Sequence, residues 1–136
     1  MPFYPNTEAF YAVTADLIGR VMAASALLAP LQREGVVLQM TLTQPDAVLV
    51  VDGRSTPPRF ITGTAAVRPD IGLRLTTDTL HNIWLSKIRL RDAFTAGTIK
   101  LDTSPLRALS LMGSLTDLFR HVESIYPQVL RERGLL

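Results

Sequence analysis

The chain has 136 residues, 47% of them hydrophobic and 19% charged, with no cysteine and a formal net charge of +2. That length suits one domain, the composition excludes disorder as the default state, and the missing cysteine removes disulfides, thiolate nucleophiles and cysteine-held zinc. The longest run without a charge, residues 21–32, is shorter than the ~18–20 apolar residues that span a bilayer. The N-terminus lacks a basic signal-peptide region, and a cytoplasmic location is the expectation. Mean hydropathy is nevertheless +0.22, so the apolar surplus needs a destination: core, membrane or ligand.

In chain order, Thr7 and Glu8 suggest a helix cap, and Phe10, Val13, Leu17, Ile18 and Val21 follow at helical spacing, with continuation through Ala23–Leu28 towards Pro30. From Val36 the period changes to two. Leu38, Met40 and Leu42 share one face of a strand, and Ala47–Val51 forms its hairpin partner across the Pro45-Asp46 turn. After a loop through Pro57-Pro58, Phe60-Ile61-Thr62 reads as a short strand, and Ile71, Leu73 and Leu75 mark a fourth. A Thr77/Asp78 cap opens a helix with Leu80, Ile83, Trp84 and Ile88 on one side. Leu90, Ala93 and Phe94 make a second short helix that stops at Gly97. Thr98–Asp102 is a fifth strand, Ser104-Pro105 opens a helix rich in Leu and Met, and Pro127 is expected to restart a final helix that ends at Gly134. The order predicts an α+β fold with a mainly antiparallel sheet covered on one face.

Catalytic constellations are missing from this pattern. His81 and His121 have no metal-ligand spacing and read as solvated or capping histidines, with His81 assigned to the face away from Trp84. Asp46, Asp52, Asp70 and Asp78 fall at turns and caps. No nucleophile elbow, phosphate loop or dinucleotide fingerprint is present, so neither an enzyme nor a cofactor is expected. With two lysines among fourteen basic residues, twelve are arginines, but they are scattered and interspersed with acids. Nucleic acid is therefore not an expected partner. What remains is apolar: the segments Leu80–Phe94 and Ala108–Phe119 carry more large side chains than cover for a sheet requires. These side chains read either as ordinary core or as the wall of an apolar cavity for a lipid-sized ligand.

The order and spacing of these elements resemble the sterol carrier protein-2 family. The resemblance rests on Asp78 at an acidic helix start, Lys87-Ile88 at a turn, Ala93-Phe94-Thr95-Ala96-Gly97 closing a short helix, and the Thr98-Ile99-Lys100-Leu101 strand before a Leu/Met-rich helix. It covers roughly residues 7–120. In place of the family's glycine after that strand stands Asp102-Thr103-Ser104-Pro105, and residues 121–136 form a helical extension to what is expected to be one unit, residues 1–136.

The resemblance implies a five-stranded sheet, flanking helices and an apolar tunnel for sterols, fatty acyl chains or similar lipids. Matching wall positions are Trp84, Ile88, Phe94, Leu111, Met112, Leu115 and Phe119. Arg89 and Arg91, in the connection between the two short helices, are candidates for an acidic head group. The expected function is a lipid-binding or carrier protein. The alternative is a non-catalytic accessory or dimerisation module that presents lipid to a partner enzyme, for example in quinone biosynthesis. The expected partner is a lipid or other apolar small molecule, with transient membrane contact and a homodimer left open.

Overall fold

A computed structural model describes residues 2–23, 35–55, 59–63, 68–102 and 105–136. The expected helix beyond Ala23, the Pro57-Pro58 loop and the Ser104 cap lie outside the described residues.

Helix α1 (Thr7–Ala23) is followed by strands β1 (Val37–Thr43), β2 (Ala47–Asp52), β3 (Arg59–Thr62) and β4 (Ile71–Thr76). Helices α2 (Thr77–Trp84) and α3 (Leu90–Thr95), strand β5 (Lys100–Leu101) and the long helix α4 (Pro105–Glu132) complete the described elements. The strands form one sheet in the order β3-β2-β1-β4-β5, antiparallel except for the central β1–β4 pair.

Register explains why the sheet has one oily face. Leu38 lies opposite Val51 and Ile71, Met40 opposite Leu49 and Leu73, and Leu42 opposite Ala47 and Leu75. Side chains alternate across a strand, so these residues all point towards the helices. They join Phe10, Leu17, Ile83, Leu118 and Val129 in one buried cluster. Gln39, Thr41, Arg74 and Lys100 occupy the alternate positions, of which Arg74 and Lys100 are exposed. A side chain on Gly72 would bring its Cβ to 3.0 Å from the Asp102 Cβ, a contact that only a shift of Asp102, just after β5, would relieve, so glycine suits this close approach.

Helix α2 ends at Trp84, before the Ile88 expected on it, and β5 spans Lys100–Leu101 instead of the expected Thr98–Asp102. Three further boundaries differ because a neighbouring side chain supplies a better cap or more burial. Asn6 caps α1, its Oδ1 accepting from the Ala9 amide at 2.8 Å. Thr76, one residue before the expected cap, accepts from the Thr79 amide. Pro127 does not restart a helix but sits inside α4. A proline there forfeits one backbone hydrogen bond, and complete burial of Tyr126, Val129 and Leu130 on either side holds the helix together.

Candidate ligand-binding site

Three of the four turn and cap carboxylates are committed to structure. Asp70 Oδ2 accepts from the Val37 amide, Asp78 Oδ1 from the Phe3 amide, and Asp52 grips the Arg54 guanidinium through two hydrogen bonds of 3.1 Å. The hydrogen bonds from Arg54 hold the Asp52 carboxyl below the usual carboxylate range. Among the described residues no group of acidic or histidine side chains is placed to hold a metal ion.

His81 departs most from expectation. Positions three apart on a helix lie only about 60° apart in projection, so His81 faces inward beside Trp84 and is buried. Its Nδ1 lies 2.6 Å from the Tyr126 hydroxyl, which lies 2.6 Å from the Tyr4 hydroxyl. Burial lowers the His81 pKa and pushes the Tyr4 hydroxyl up to about 12. A neutral imidazole accepting at Nδ1 satisfies the chain: Tyr4 donates to Tyr126, and Tyr126 donates to His81. Phe3 stacks on the imidazole at 3.8 Å. These contacts pin the N-terminal segment, α2 and the C-terminal half of α4 together.

Two of the spaces in the fold border the helices. The first is a cavity of about 40 Å³ between sheet and helices. Its sheet wall is Met40, Leu49, Val51 and Phe60, and its helical wall includes Leu17, Trp84, Leu118 and Phe119. Every described residue lining it is apolar. The second is an open cleft of about 610 Å³ between α3 and α4, within the ~300–1,000 Å³ usual for small-molecule sites. Leu90, Phe94, Met112 and Phe119 give it an apolar surface, while Arg89, Arg91, Arg120 and Glu123 stand among its polar residues. Among the described residues Arg89 and Arg91 enter no ion pair, and Arg120 has only a 3.8 Å contact with Asp117. The cleft therefore combines an oily wall with a net positive rim. Burial raises the Glu123 carboxyl above its ordinary range, with Arg120 acting against it.

No family model matches this sequence, and no curated protein matches it. Similarity appears in solved structures. The sterol carrier protein domain 2 of Helicoverpa armigera superposes at a TM-score of 0.64, with 15% identity over 88% of this chain and 91% of that one. Sterol Carrier Protein 2 from Yarrowia lipolytica, in its apo form, gives 0.58 with 16% identity over 81% and 89%. The chain has the sterol carrier protein 2 fold. A palmitated sterol carrier protein 2-like protein of Aedes aegypti gives 0.53, with 18% identity over 74% and 90%. The chain also spans 12% of the length of the sec-alkylsulfatase Pisa1 from Pseudomonas sp., matched over 57% of this chain at 21% identity and a TM-score of 0.45.

Within the sterol carrier protein 2 fold, the expected site residues divide. The cleft brings together Arg89, Arg91, Phe94, Met112 and Phe119, contributed by the α3 region and α4. Trp84 lines the inner cavity, and Phe119 lines both spaces. Leu115 is a buried core residue and Ile88 packs against the core, and neither lines the cavity or the cleft. Leu111 lies on α4, with its side chain outside the described set. Phe119 lines both the small inner cavity and the large cleft. The sequence reading missed Arg120 and Glu123. Their signal was present: Met112, Thr116, Phe119 and Glu123 recur at four- and three-residue spacing along α4, which lines one helix face.

Proposed function

We propose that this chain binds an anionic amphiphile, such as a fatty acyl chain with an acidic head group, and acts as a lipid carrier rather than a catalyst. The observation that carries this reading is the α3–α4 cleft, where apolar side chains meet three exposed arginines, Arg89 and Arg91 from the α3 side and Arg120 from α4. Guanidinium groups match a carboxylate in planar, two-pronged geometry. Each methylene removed from water contributes roughly 0.8 kcal/mol, so a chain laid along Leu90, Phe94, Met112 and Phe119 is held without covalent chemistry. The palmitated relative with the same fold supports an acyl ligand.

Native mass spectrometry of gently purified protein, followed by titration with a fluorescent fatty acid, tests the reading. A co-purifying lipid or saturable uptake supports it. An empty chain that takes up no fatty acid and forms only a stable dimer contradicts it in favour of a non-catalytic interaction module.

A further inference from the structure

Glu123 stands apart from the other charged groups of the α3–α4 cleft. Arg89, Arg91 and Arg120 suit an anionic head group, whereas a carboxylate among them repels one. Helical spacing fixes its place: Met112, Thr116, Phe119 and Glu123 recur along one face of α4, so Glu123 lies one turn beyond Phe119 on the same wall. Its side chain is half-buried, while the three arginines are exposed. Among the described residues Glu123 enters no ion pair. It is the charged group of the cleft that water reaches least, and no cation is engaged to hold its charge.

Occupation of the cleft isolates it further. An anionic head group at the arginines draws on their charge, excludes water and sets a second negative charge beside the carboxylate. Two acids sharing a site do not both stay ionised. A head group kept anionic by guanidinium groups leaves Glu123 as the partner that accepts a proton. Burial already favours the neutral form of this carboxyl in the unliganded chain, with Arg120 opposing it. Once neutral, its O–H donates, and a hydrogen bond from a hydroxyl to an ionised oxygen is of the short, strong kind. Other titratable groups nearby do not take this part. Asp117 faces Arg120 at 3.8 Å, Asp92 of α3 is exposed and outside the cleft lining, and neither His81 nor His121 lines it.

We propose that Glu123 is a head-group contact in its own right, taking up a proton from solvent as the ligand binds and donating it in a hydrogen bond to the anion that the arginines hold. This rests on the lipid-binding reading and adds one residue and one proton to that site. The sign follows from linkage. The liganded chain holds more protons than the free chain, so affinity is highest at low pH and falls as pH rises through the titration of Glu123.

The test uses the full chain and hexadecyl sulfonate below its micelle concentration. That head group stays ionised, so a change of affinity between about pH 5 and pH 8 belongs to the protein. Affinity is expected to fall roughly tenfold across this window. Calorimetry in two buffers of different ionisation enthalpy should count uptake of about half a proton per ligand at the steepest point. Glu123→Gln keeps a donor but does not ionise. Its affinity should stay near the wild-type value at low pH across the whole window, with no proton counted. A wild-type affinity that is flat with pH, or a fall that persists in Glu123→Gln, overturns the role of Glu123 and leaves the lipid-binding reading standing. Absence of binding at every pH overturns both. Because the proton count is made on the wild-type chain, the proposal is falsifiable whether or not the variant folds.

Discussion

Helix α4 serves two ends of this molecule in opposite ways. The inner face of its C-terminal half is core: Tyr126, Val129 and Leu130 are fully buried, in a helix that packs against α1. Charged residues tie the same end down, with Arg20 reaching Asp16 and Glu132, and Arg133 reaching Asp16 at 3.3 Å. Further towards its N-terminus, Met112 is half-buried and Thr116 is exposed along the cleft. The same apolar periodicity therefore has two outcomes. Where a second element supplies matching side chains, the stripe is core; where, among the described residues, the short α3 faces it across the cleft, the stripe is a wall with room beside it.

The largest effect expected from breaking this contrast comes from Tyr126→Phe. Removing one hydroxyl leaves both the Tyr4 hydroxyl and His81 Nδ1 buried without that partner. A loss of about 2–4 kcal/mol follows, measured by urea denaturation, with fatty-acid affinity unchanged once the protein is folded.

At the open end the opposite split is expected. Arg89→Ala combined with Arg91→Ala should weaken a fatty acid roughly tenfold, about 1.4 kcal/mol, while moving stability by no more than ~0.5 kcal/mol. The weakening should shrink when salt is raised, since the rim is solvent-facing. Loss of affinity without salt dependence would argue that the arginines shape the cleft rather than meet a charge.

Phe119→Ala sharpens the comparison because that ring borders both spaces. Loss of a buried phenyl ring costs about 3 kcal/mol at a well-packed site, but this ring already borders empty space, so about 1–2 kcal/mol is expected here. Longer acyl chains should gain affinity relative to shorter ones.

The smallest effect concerns pH. His81 titrates below its ordinary value when folded, chiefly because burial disfavours the charged ring; Asp78 opposes this and Lys87 adds to it. The unfolded chain then binds the proton first, so the contribution to stability is complete above the unfolded pKa of about 6.5 and is lost as pH falls from there towards the folded value. Thermal denaturation should show Tm falling through that window. His81→Gln should flatten the fall; an unchanged slope would remove His81 as its cause.

Legibility followed locality. The alternation of Leu38, Met40 and Leu42, and of Ile71, Leu73 and Leu75, is a property of neighbouring residues, so both strands and their buried faces were readable. The site was half readable for the same reason. Arg89, Arg91 and Phe94 lie within six residues of one another, and Met112 and Phe119 stand out on an apolar helix. That Arg120 and Glu123 of α4 border the same cleft as α3 depends on how the fold places two helices distant in sequence, which no window of sequence contains. The His81–Tyr126–Tyr4 chain joins residues 45 and 122 positions apart. A hint was present in Phe3, Tyr4, Phe10 and Tyr11, four of nine aromatic residues gathered at one end (5 Phe, 3 Tyr and 1 Trp), but it named no partner.

The most direct test of the two-ended account is titration of the isotope-labelled chain with palmitate, followed residue by residue by NMR. Shifts should concentrate at Arg89, Leu90, Phe94, Met112 and Thr116, with Tyr4, His81 and Tyr126 unmoved. Shifts centred on the tyrosine–histidine end or on the outer sheet face around Arg74 and Lys100, with the cleft silent, would contradict it.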